Sequence, residues 1–139
     1  MKRILCLDYG EKRIGLALSD PLKIIAYPYK TIINSNINKL KYELKQIITD
    51  ESIESIVIGL PIGLNGKDTI QTKKVREFRS QILDLNVFIY FEDERFSSLS
   101  AAKSMRIEKI KTGFNKGIID KRAAAIILQQ FLDKRKLAK

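Results

Sequence analysis

Hydrophobic residues fall into five short runs whose length and spacing are typical of β-strands. The first three runs follow one another closely, with the turn Asp20-Pro21 between the second and the third. Because a parallel crossover needs a dozen or more residues, this spacing predicts an antiparallel meander. The predicted strands are Arg3–Asp8, Arg13–Ser19, Ile24–Thr31, Ile56–Leu60 and Val87–Phe91.

Elsewhere the hydrophobic positions recur at helical spacing. One predicted helix gathers five aliphatic residues on a single face: Ile37, Leu40, Leu44, Ile47 and Ile48. A second is predicted from a cap at Asp68 or Thr69 to about Leu85, and its inward residues are Ile70, Val75, Phe78 and Ile82. Two more helices are predicted over Ser97–Met105 and from Ile118 to about Leu137. The order βββαβαβαα predicts an α/β fold, with helices flanking a mixed five-stranded sheet.

The composition restricts the possible chemistry. The chain has 139 residues, 45% hydrophobic and 30% charged, as expected of a single globular domain over residues 1–139. It contains no histidine, which excludes Ser-His and Cys-His catalysis and His-ligated zinc. The single cysteine, Cys6, cannot form an intramolecular disulfide, which favours a cytoplasmic location. No apolar run approaches the roughly 18 residues of a transmembrane helix, so no membrane association is expected.

The positive charge is concentrated near the end of the sequence. The net charge is +10, and residues 101–139 carry eleven basic but only three acidic residues. Such a basic region favours a polyanionic partner, most simply a nucleic acid. A lysine-rich surface that only maintains solubility is the alternative, and charge alone does not separate RNA from DNA.

Three groups of acidic residues are candidates for catalysis. Asp8 ends the first strand and precedes Gly10, where it is either a turn residue or part of a site at the sheet edge. The run Glu92-Asp93-Glu94 ends the fifth strand and is either solvated or compensated by a cation. Strand alternation predicts that Asp93 faces the opposite side from Glu92 and Glu94. Asp120 is either the cap of the last helix or a costly charge on its apolar face.

Taken together, these acids indicate one type of chemistry. Carboxylates from two strand ends and one helix can converge on an oxygen-ligated Mg²⁺ or Mn²⁺ site. Such ions support phosphodiester hydrolysis without any histidine.

Four segments in this order span most of the chain: LDYGEKRIGLALSD, IVIGLPIGLNGKD, EDERFSS and IIDKRAAAIILQ. They resemble the signatures of the YqgF family of Holliday-junction-resolvase-like nucleases that process pre-16S ribosomal RNA. The resemblance implies a ribonuclease-H-like fold and a cytoplasmic nuclease that acts in ribosome biogenesis on precursor ribosomal RNA, with Mg²⁺ or Mn²⁺ as cofactor. It also implies roles for the acids. The expected catalytic residues are Asp8, Asp93, Glu94 and Asp120, and the metal ligands among them are Asp8, Glu94 and Asp120.

The resemblance and the basic region together give candidates for contact with nucleic acid. They are Lys12, Arg13, Arg95, Ser97, Ser98, Lys116, Lys121 and Arg122. The partners expected are precursor RNA and ribosomal particles, with branched DNA as an alternative substrate, and the chain is expected to be a monomer or a weak homodimer. Two other functions stay open: a dimeric resolvase of DNA junctions, and a non-catalytic RNA-binding factor for ribosome assembly.

Overall fold

A computed structural model describes the backbone of residues 2–95 and 116–138, and the side chains of all of these except 116–119, 137 and 138. Within these ranges the chain forms five strands, three helices and a short 3₁₀ turn. The strands are β1 (Arg3–Tyr9), β2 (Arg13–Ser19), β3 (Ala26–Ile33), β4 (Ile53–Leu60) and β5 (Phe88–Asp93). The helices are α1 (Ile37–Asp50), α2 (Ile70–Gln81) and α3 (Lys116–Ala138), and the 3₁₀ turn is Leu83–Leu85.

The five strands form one mixed sheet in the order β3-β2-β1-β4-β5. Strands β1, β2 and β3 pair antiparallel, as the meander prediction required. Strand β4 pairs parallel with β1, and β5 pairs parallel with β4. The carboxyl ends of β1, β4 and β5 therefore meet at one edge of the sheet, where the acids Asp8 and Glu92-Asp93-Glu94 follow or end their strands.

Each face of the sheet has its own hydrophobic core. Helices α1 and α2 pack on one face, against residues such as Leu5, Leu7, Ile56 and Ile58. Helix α3 packs on the other face, against Ile4, Cys6, Ala17 and Val57. The alternation of β1 between the two cores follows from the period of two along a strand. It turns Asp8, two residues beyond Cys6, toward α3.

Several predicted boundaries were wrong by a few residues, for identifiable reasons. Strand β3 begins at Ala26, because the Asp20 carboxylate accepts hydrogen bonds from the amides of Ile24 and Ile25 and holds them in a turn. Strand β4 begins three residues early, where Ile53 pairs with Arg3. Strand β5 starts at Phe88 and continues to Asp93, because the ladder with β4 extends to the Leu60–Asp93 pair.

The helices differ from the predictions in similar ways. Thr69 is the cap of α2, in a capping box with Thr72, but Ile70 is 76% exposed and does not face the core. Helix α2 ends at Gln81, and the 3₁₀ turn takes the place of its predicted last turn. The predicted helix Ser97–Met105 lies outside the described residues. Within them, no helix combines the length and apolar character that crossing a lipid bilayer requires.

Glycine residues let α3 approach the sheet unusually closely. A Cβ atom at Gly15 would lie 2.1 Å from the backbone oxygen of Asp120, far inside van der Waals contact. At Gly59 a Cβ would lie 2.6 Å from Ile127 Cδ1 and 2.6 Å from Glu94 Oε1, which are both ends of side chains. The backbone of α3 therefore contacts strand backbone at Gly15. At Gly59 the nearest atoms are instead the side-chain ends of Ile127 and Glu94.

We predict that Gly15→Ala destabilises the protein more than Gly59→Ala. The added methyl at position 15 meets backbone that cannot rotate away, so α3 must lift, at a cost of about 1–3 kcal/mol. At position 59 the neighbouring side chains can change rotamer. Urea unfolding measures the free energy of unfolding of both variants. Equal destabilisation would contradict the contact of the α3 backbone with Gly15 as the more rigid of the two.

Candidate active site

Asp8 lies between two glycines on the neighbouring strands of the sheet. In the antiparallel ladder it pairs with Gly15 of β2. In the parallel ladder Leu7 pairs with Ile58, so the next position along β4, Gly59, flanks Asp8 on its other side. Asp8 is only 7% exposed although it stands near the end of its strand. A buried carboxylate thus occupies the centre of the sheet edge, with no side chain on either flank.

The space above each glycine is taken by another acidic residue. The backbone of Asp120, on α3, lies over Gly15, and the carboxylate of Glu94 lies over Gly59. Asp120 and Glu94 are 7% and 8% exposed. The backbone of Asp120 and the carboxylate of Glu94 therefore lie over the two strands that flank Asp8, on the α3 side of the sheet.

The buried thiol of Cys6 reports the negative potential of this region. Burial, together with the charges of Asp8, Glu94 and Glu92, raises the pKa of the Cys6 thiol well above its usual value. Cys6 lies one step deeper on the same face of β1 as Asp8 and has no exposed surface. Asp8, Glu94 and Glu92 therefore all lie near Cys6, on the face of the sheet that α3 covers.

Asp120 forms an ion pair with Arg13. The Nε of Arg13 donates to Oδ2 of Asp120 at 2.8 Å, and the two side chains are 27% and 10% exposed. Asp120 is the fifth residue of α3, so the possibility that it is the N-cap of this helix is excluded. Asp120 is therefore a charged residue on the apolar face of α3, which was the other expectation. The ion pair with Arg13 of β2 offsets the cost of burying its charge.

Glu92 is a further buried acid. The sequence indicated it only as one member of the acidic run Glu92-Asp93-Glu94. Its carboxylate accepts a hydrogen bond from Gln130 and forms an ion pair with Lys134 at 2.7 Å, both on α3. It is 5% exposed, so the solvated strand end considered for this cluster is not what forms. The signal that could have located Glu92 and Glu94 is their shared strand parity with Tyr90, whose ring packs against Phe131 of α3.

Asp93 faces away from the other acids, as strand alternation predicted. It shares the face of Phe91, which lies under the guanidinium groups of α2. The side chain of Arg95 binds the Asp93 carboxylate through Nε and Nη2, and the backbone amide of Arg95 donates to the same carboxylate at 2.8 Å. These bonds hold the pKa of Asp93 below its usual value. The structure thus does not bring Asp93 to the group formed by Asp8, Glu94 and Asp120.

The residues expected to contact nucleic acid surround the same edge only in part. Lys12 is exposed next to Arg13, Lys121 is half-buried and Arg122 is exposed on α3. Arg95 lies beside the turn at Gly66. Ser97, Ser98 and the side chain of Lys116 lie outside the described residues. Two of the expected contacts, Arg13 and Arg95, have carboxylate partners in this structure.

The buried acids have the kind of ligand atoms that a hard divalent ion prefers, but their side chains are not arranged around one ion. Asp8, Glu94 and Asp120 offer only carboxylate oxygens, the ligands that Mg²⁺ and Mn²⁺ prefer. In residues 2–95 and 116–138, however, no three acidic or cysteine side chains are close enough together to hold one ion.

Comparison with known proteins identifies the family. The family model of RuvX, described as a Holliday junction resolvase, matches residues 2–134. The chain belongs to the RuvX family. This confirms the resemblance stated from the sequence motifs, since RuvX and YqgF denote the same family.

Relatives of similar length share more than a third of the sequence. A protein of Maridesulfovibrio salexigens is 38% identical over 131 residues, which cover 94% of this chain and 97% of the relative. One of Ruminiclostridium cellulolyticum is 40% identical over 134 residues, covering 95% and 94%. Both are named "Putative pre-16S rRNA nuclease".

Solved structures confirm the fold of this RuvX-family chain. RuvC of Thermus thermophilus, in complex with a Holliday junction substrate, matches with a TM-score of 0.59 at 11% identity and covers 98% of this chain and 96% of its own. The fowlpox virus resolvase in complex with Holliday junction DNA matches with a TM-score of 0.51 at 10% identity, covering 96% and 98%. The ribonuclease-H-like fold expected from the motifs is thus the observed one.

The Asp93–Arg95 pair gives a pH-dependent prediction. Because the pKa of Asp93 is lowered on folding, its contribution to stability is present above the unfolded value of about 3.9 and is lost as the pH falls through the folded value. Arg95→Gln should therefore destabilise the protein near neutral pH, and its effect should diminish as the pH falls below the unfolded value of about 3.9. We expect a small effect, because solvent screens a pair that is about a third exposed.

Urea unfolding of wild type and Arg95→Gln between acid and neutral pH tests this. Lys39→Gln, which removes a positive charge from an exposed lysine of α1, is the matched control. A difference between wild type and Arg95→Gln that stays constant down to the lowest pH would contradict the assignment.

Proposed function

We propose that this protein is a metal-dependent nuclease that hydrolyses phosphodiester bonds of RNA. Its proposed substrate is the 5′ end of precursor 16S ribosomal RNA, processed in the cytoplasm during ribosome biogenesis by one ribonuclease-H-like domain over residues 1–139. The observation that carries the proposal is that three buried acids, Asp8, Glu94 and Asp120, all lie on the α3 face at one edge of the sheet. The name shared by relatives at 38–40% identity supports the choice of substrate.

In this proposal the acids have different roles. Asp8, Glu94 and Asp120 are the proposed ligands of Mg²⁺ or Mn²⁺. When bound, such an ion supplies Lewis-acid stabilisation of the charge that develops on the phosphate. Asp93, expected from the sequence to be catalytic, is instead proposed as a positioning residue on the opposite face, where its bonds to Arg95 fix the chain just before and after Glu94.

The basic residues around the edge provide the proposed contacts to the RNA backbone. Cations near the acids are needed because a polyanionic substrate must approach a region of negative potential. The proposed contacts are Lys12, Arg13, Arg95, Ser97, Ser98, Lys116, Lys121 and Arg122. Phosphate contacts of this kind position a strand without reading its sequence.

A second candidate function is the resolution of branched DNA. It is favoured by the description of the family model as a Holliday junction resolvase. A resolvase must cut two strands symmetrically and therefore requires a stable dimer. The RNA-processing proposal needs only a monomer or a weak homodimer, working on precursor RNA free or within ribosomal particles.

We predict that Asp8→Asn abolishes cleavage but leaves folding and RNA binding nearly unchanged. The amide is close in size to the carboxylate but is a much poorer ligand for a divalent ion, so the rate should fall by roughly two orders of magnitude or more. The assay is shortening of a precursor 16S RNA fragment in Mn²⁺, with circular dichroism and RNA binding measured on the same samples. Asp84→Asn, at an exposed carboxylate that pairs with Lys41, is the matched control and should cleave at the wild-type rate.

The same assay separates the alternatives. A four-way DNA junction offered beside the RNA should be cut poorly or not at all. Preferential cutting of the junction would favour the resolvase function. Wild-type protein that binds the precursor but never shortens it would favour the non-catalytic assembly factor, and an Asp8→Asn variant as active as wild type would show that the assigned acids are wrong.

A further inference from the structure

We propose that an exposed aromatic row on strand β5 and helix α3 binds the unpaired bases of a single RNA strand by stacking. The aromatic row consists of Phe88, Tyr90 and Phe131. The inference rests on the proposed function only in taking RNA as the nucleic acid, because stacking requires neither the acidic residues nor a metal ion. It goes beyond that function by assigning a binding surface for unpaired nucleotides.

The first support is the arrangement of the three rings. Phe88 and Tyr90 are two residues apart on β5, so alternation places both side chains on the face of the sheet that α3 covers. Their rings are stacked, with centroids 6.5 Å apart and planes 28° from parallel. The ring of Phe131, on α3, continues the series with its centroid 5.7 Å from that of Tyr90. Adjoining aromatic rings of this kind are surfaces on which successive bases stack.

The second support is the exposure of the row. Phe88 is 73% exposed and Tyr90 is 44% exposed. Strand β5 is last in the sheet order, so within the described part of the chain it has a paired strand, β4, on one side only. The rings can therefore be approached from the open side of β5. Single exposed apolar side chains need no explanation, but exposed rings that adjoin one another are typical of an interaction surface.

The third support is the positive charge beside the row. Lys134 and Arg135 follow Phe131 on α3 by three and four residues, so helical spacing places both next to its ring. The guanidinium group of Arg135 lies 5.7 Å from the centre of this ring. Lys134 pairs with Glu92, but its side chain is 60% exposed, so a phosphate can reach it. Aromatic rings beside cations match the alternation of bases and phosphates along a strand.

A further cation lies at the other end of the row. Lys2 and Phe88 line the same surface depression, which has a volume of about 510 Å³. Glu54 also lines it, but the carboxylate of Glu54 forms an ion pair with Lys23. This volume is in the range of pockets that hold small molecules, so the depression has room for a base. Cations therefore lie at both ends of the aromatic row.

The size of the row favours a nucleic acid over a protein partner. An aromatic side chain has about 150–250 Å² of surface in all. Three partly buried rings therefore expose much less than the roughly 800 Å² that each partner buries in a stable protein complex. The strand must be unpaired, because the bases of a duplex are stacked inside the helix and only splayed-out bases can reach aromatic side chains.

The row is also in line with the proposed active site. Alternation places Glu92 and Glu94 on the same face of β5 as Phe88 and Tyr90. At about 3.3 Å per residue along a strand, Glu94 lies roughly 13 Å beyond Tyr90. A strand whose bases stack on the row therefore passes the acids a few nucleotides farther along. The inference thus predicts that the protein selects RNA that is unpaired beside the bond to be cut.

The first experiment uses tryptophan fluorescence, because the chain contains no tryptophan of its own. Phe88→Trp places one indole in the row. Tyr42→Trp, at a side chain of α1 that is 64% exposed, is the matched control. Each variant is titrated in EDTA with single-stranded oligouridylate and with an abasic strand of the same length. Oligouridylate should quench the fluorescence of Phe88→Trp, because a stacked base quenches indole. The abasic strand should not quench it, and neither strand should quench Tyr42→Trp.

The second experiment measures affinity by fluorescence anisotropy of labelled strands. Phe88→Leu and Tyr90→Leu keep an apolar side chain but remove the ring. Each should weaken the binding of oligouridylate about tenfold, the effect of losing one base stack, and Tyr42→Leu should leave it unchanged. Binding of the abasic strand should be the same in wild type and all three variants. Circular dichroism establishes that each form is folded, and equal affinity of all forms for oligouridylate would overturn the inference.

The outcomes separate this inference from the proposed function. Cleavage that depends on Asp8, together with no quenching of Phe88→Trp, would overturn only the role of the aromatic row. Quenching of Phe88→Trp, together with a precursor RNA that is never shortened, would support the row and count against the nuclease. Sedimentation of wild type as a dimer that Phe88→Ser dissociates would show that a second copy of the chain covers the row, and would overturn the inference.

Discussion

The contact between the backbone of α3 and the backbone of β2 at Gly15 is the constraint on which the candidate site depends. It allows Asp120, carried by a helix more than a hundred residues from β1 along the chain, to reach the level of Asp8 in the sheet. Any side chain at position 15 would separate the two layers. Gly59 likewise leaves room for the side chain of Glu94, although the atoms nearest to this glycine are side-chain ends and not backbone. Asp120 and Glu94 can therefore lie over the strands on either side of Asp8 because β2 and β4 carry no side chain at those two positions.

This close packing explains how four acids can be buried on one face of a small sheet. Asp8, Glu92, Glu94 and Asp120 are all less than 9% exposed, and burying so many like charges is costly. Part of the compensation is visible: Lys134 neutralises Glu92 from α3, and Arg13 neutralises Asp120 from β2. The helix that covers the acids and the strand beside them thus also supply cations. A buried charge kept with a local counter-ion is tolerable.

Local patterns in the sequence were sufficient for much of this architecture. The short apolar runs predicted the number of strands and the meander, and the alternation along β5 correctly separated Asp93 from Glu92 and Glu94. The boundaries were less accurate because they depend on partners elsewhere in the chain. Asp20 captures two amides in a turn, for example, and the ladder with β4 extends β5 to Asp93. The exposure of Ile70 shows the same limit, because the face of α2 that meets the sheet is decided by tertiary packing.

The candidate site was predictable as a list of residues and not as a set of contacts. Acids at strand ends marked Asp8 and Glu94, but nothing local to position 13 or 120 indicated their pairing across 107 residues. The usable signal was a series of small residues on one face of β2 and β4, namely Gly15, Ala17 and Gly59. Such a series predicts that a helix packs closely on that face. Reading that series together with the alanine-rich stretch after Asp120 would have placed the last helix on this face.

The three consecutive acids at the end of β5, Glu92, Asp93 and Glu94, lie on two different faces of the sheet and have different partners there. Alternation sends Glu92 and Glu94 under α3, where a charge is costly and therefore must be matched by a cation or used for binding one. It sends Asp93 to the other face, where Arg95 holds its carboxylate and where the amide of Arg95 closes a tight local turn. That turn directly contains Glu94, whose own amide continues the ladder by donating to Leu60 at 3.2 Å. Asp93 thus fixes the backbone from which Glu94 extends, so its influence on the site is exerted through the chain and not through its own carboxylate oxygens.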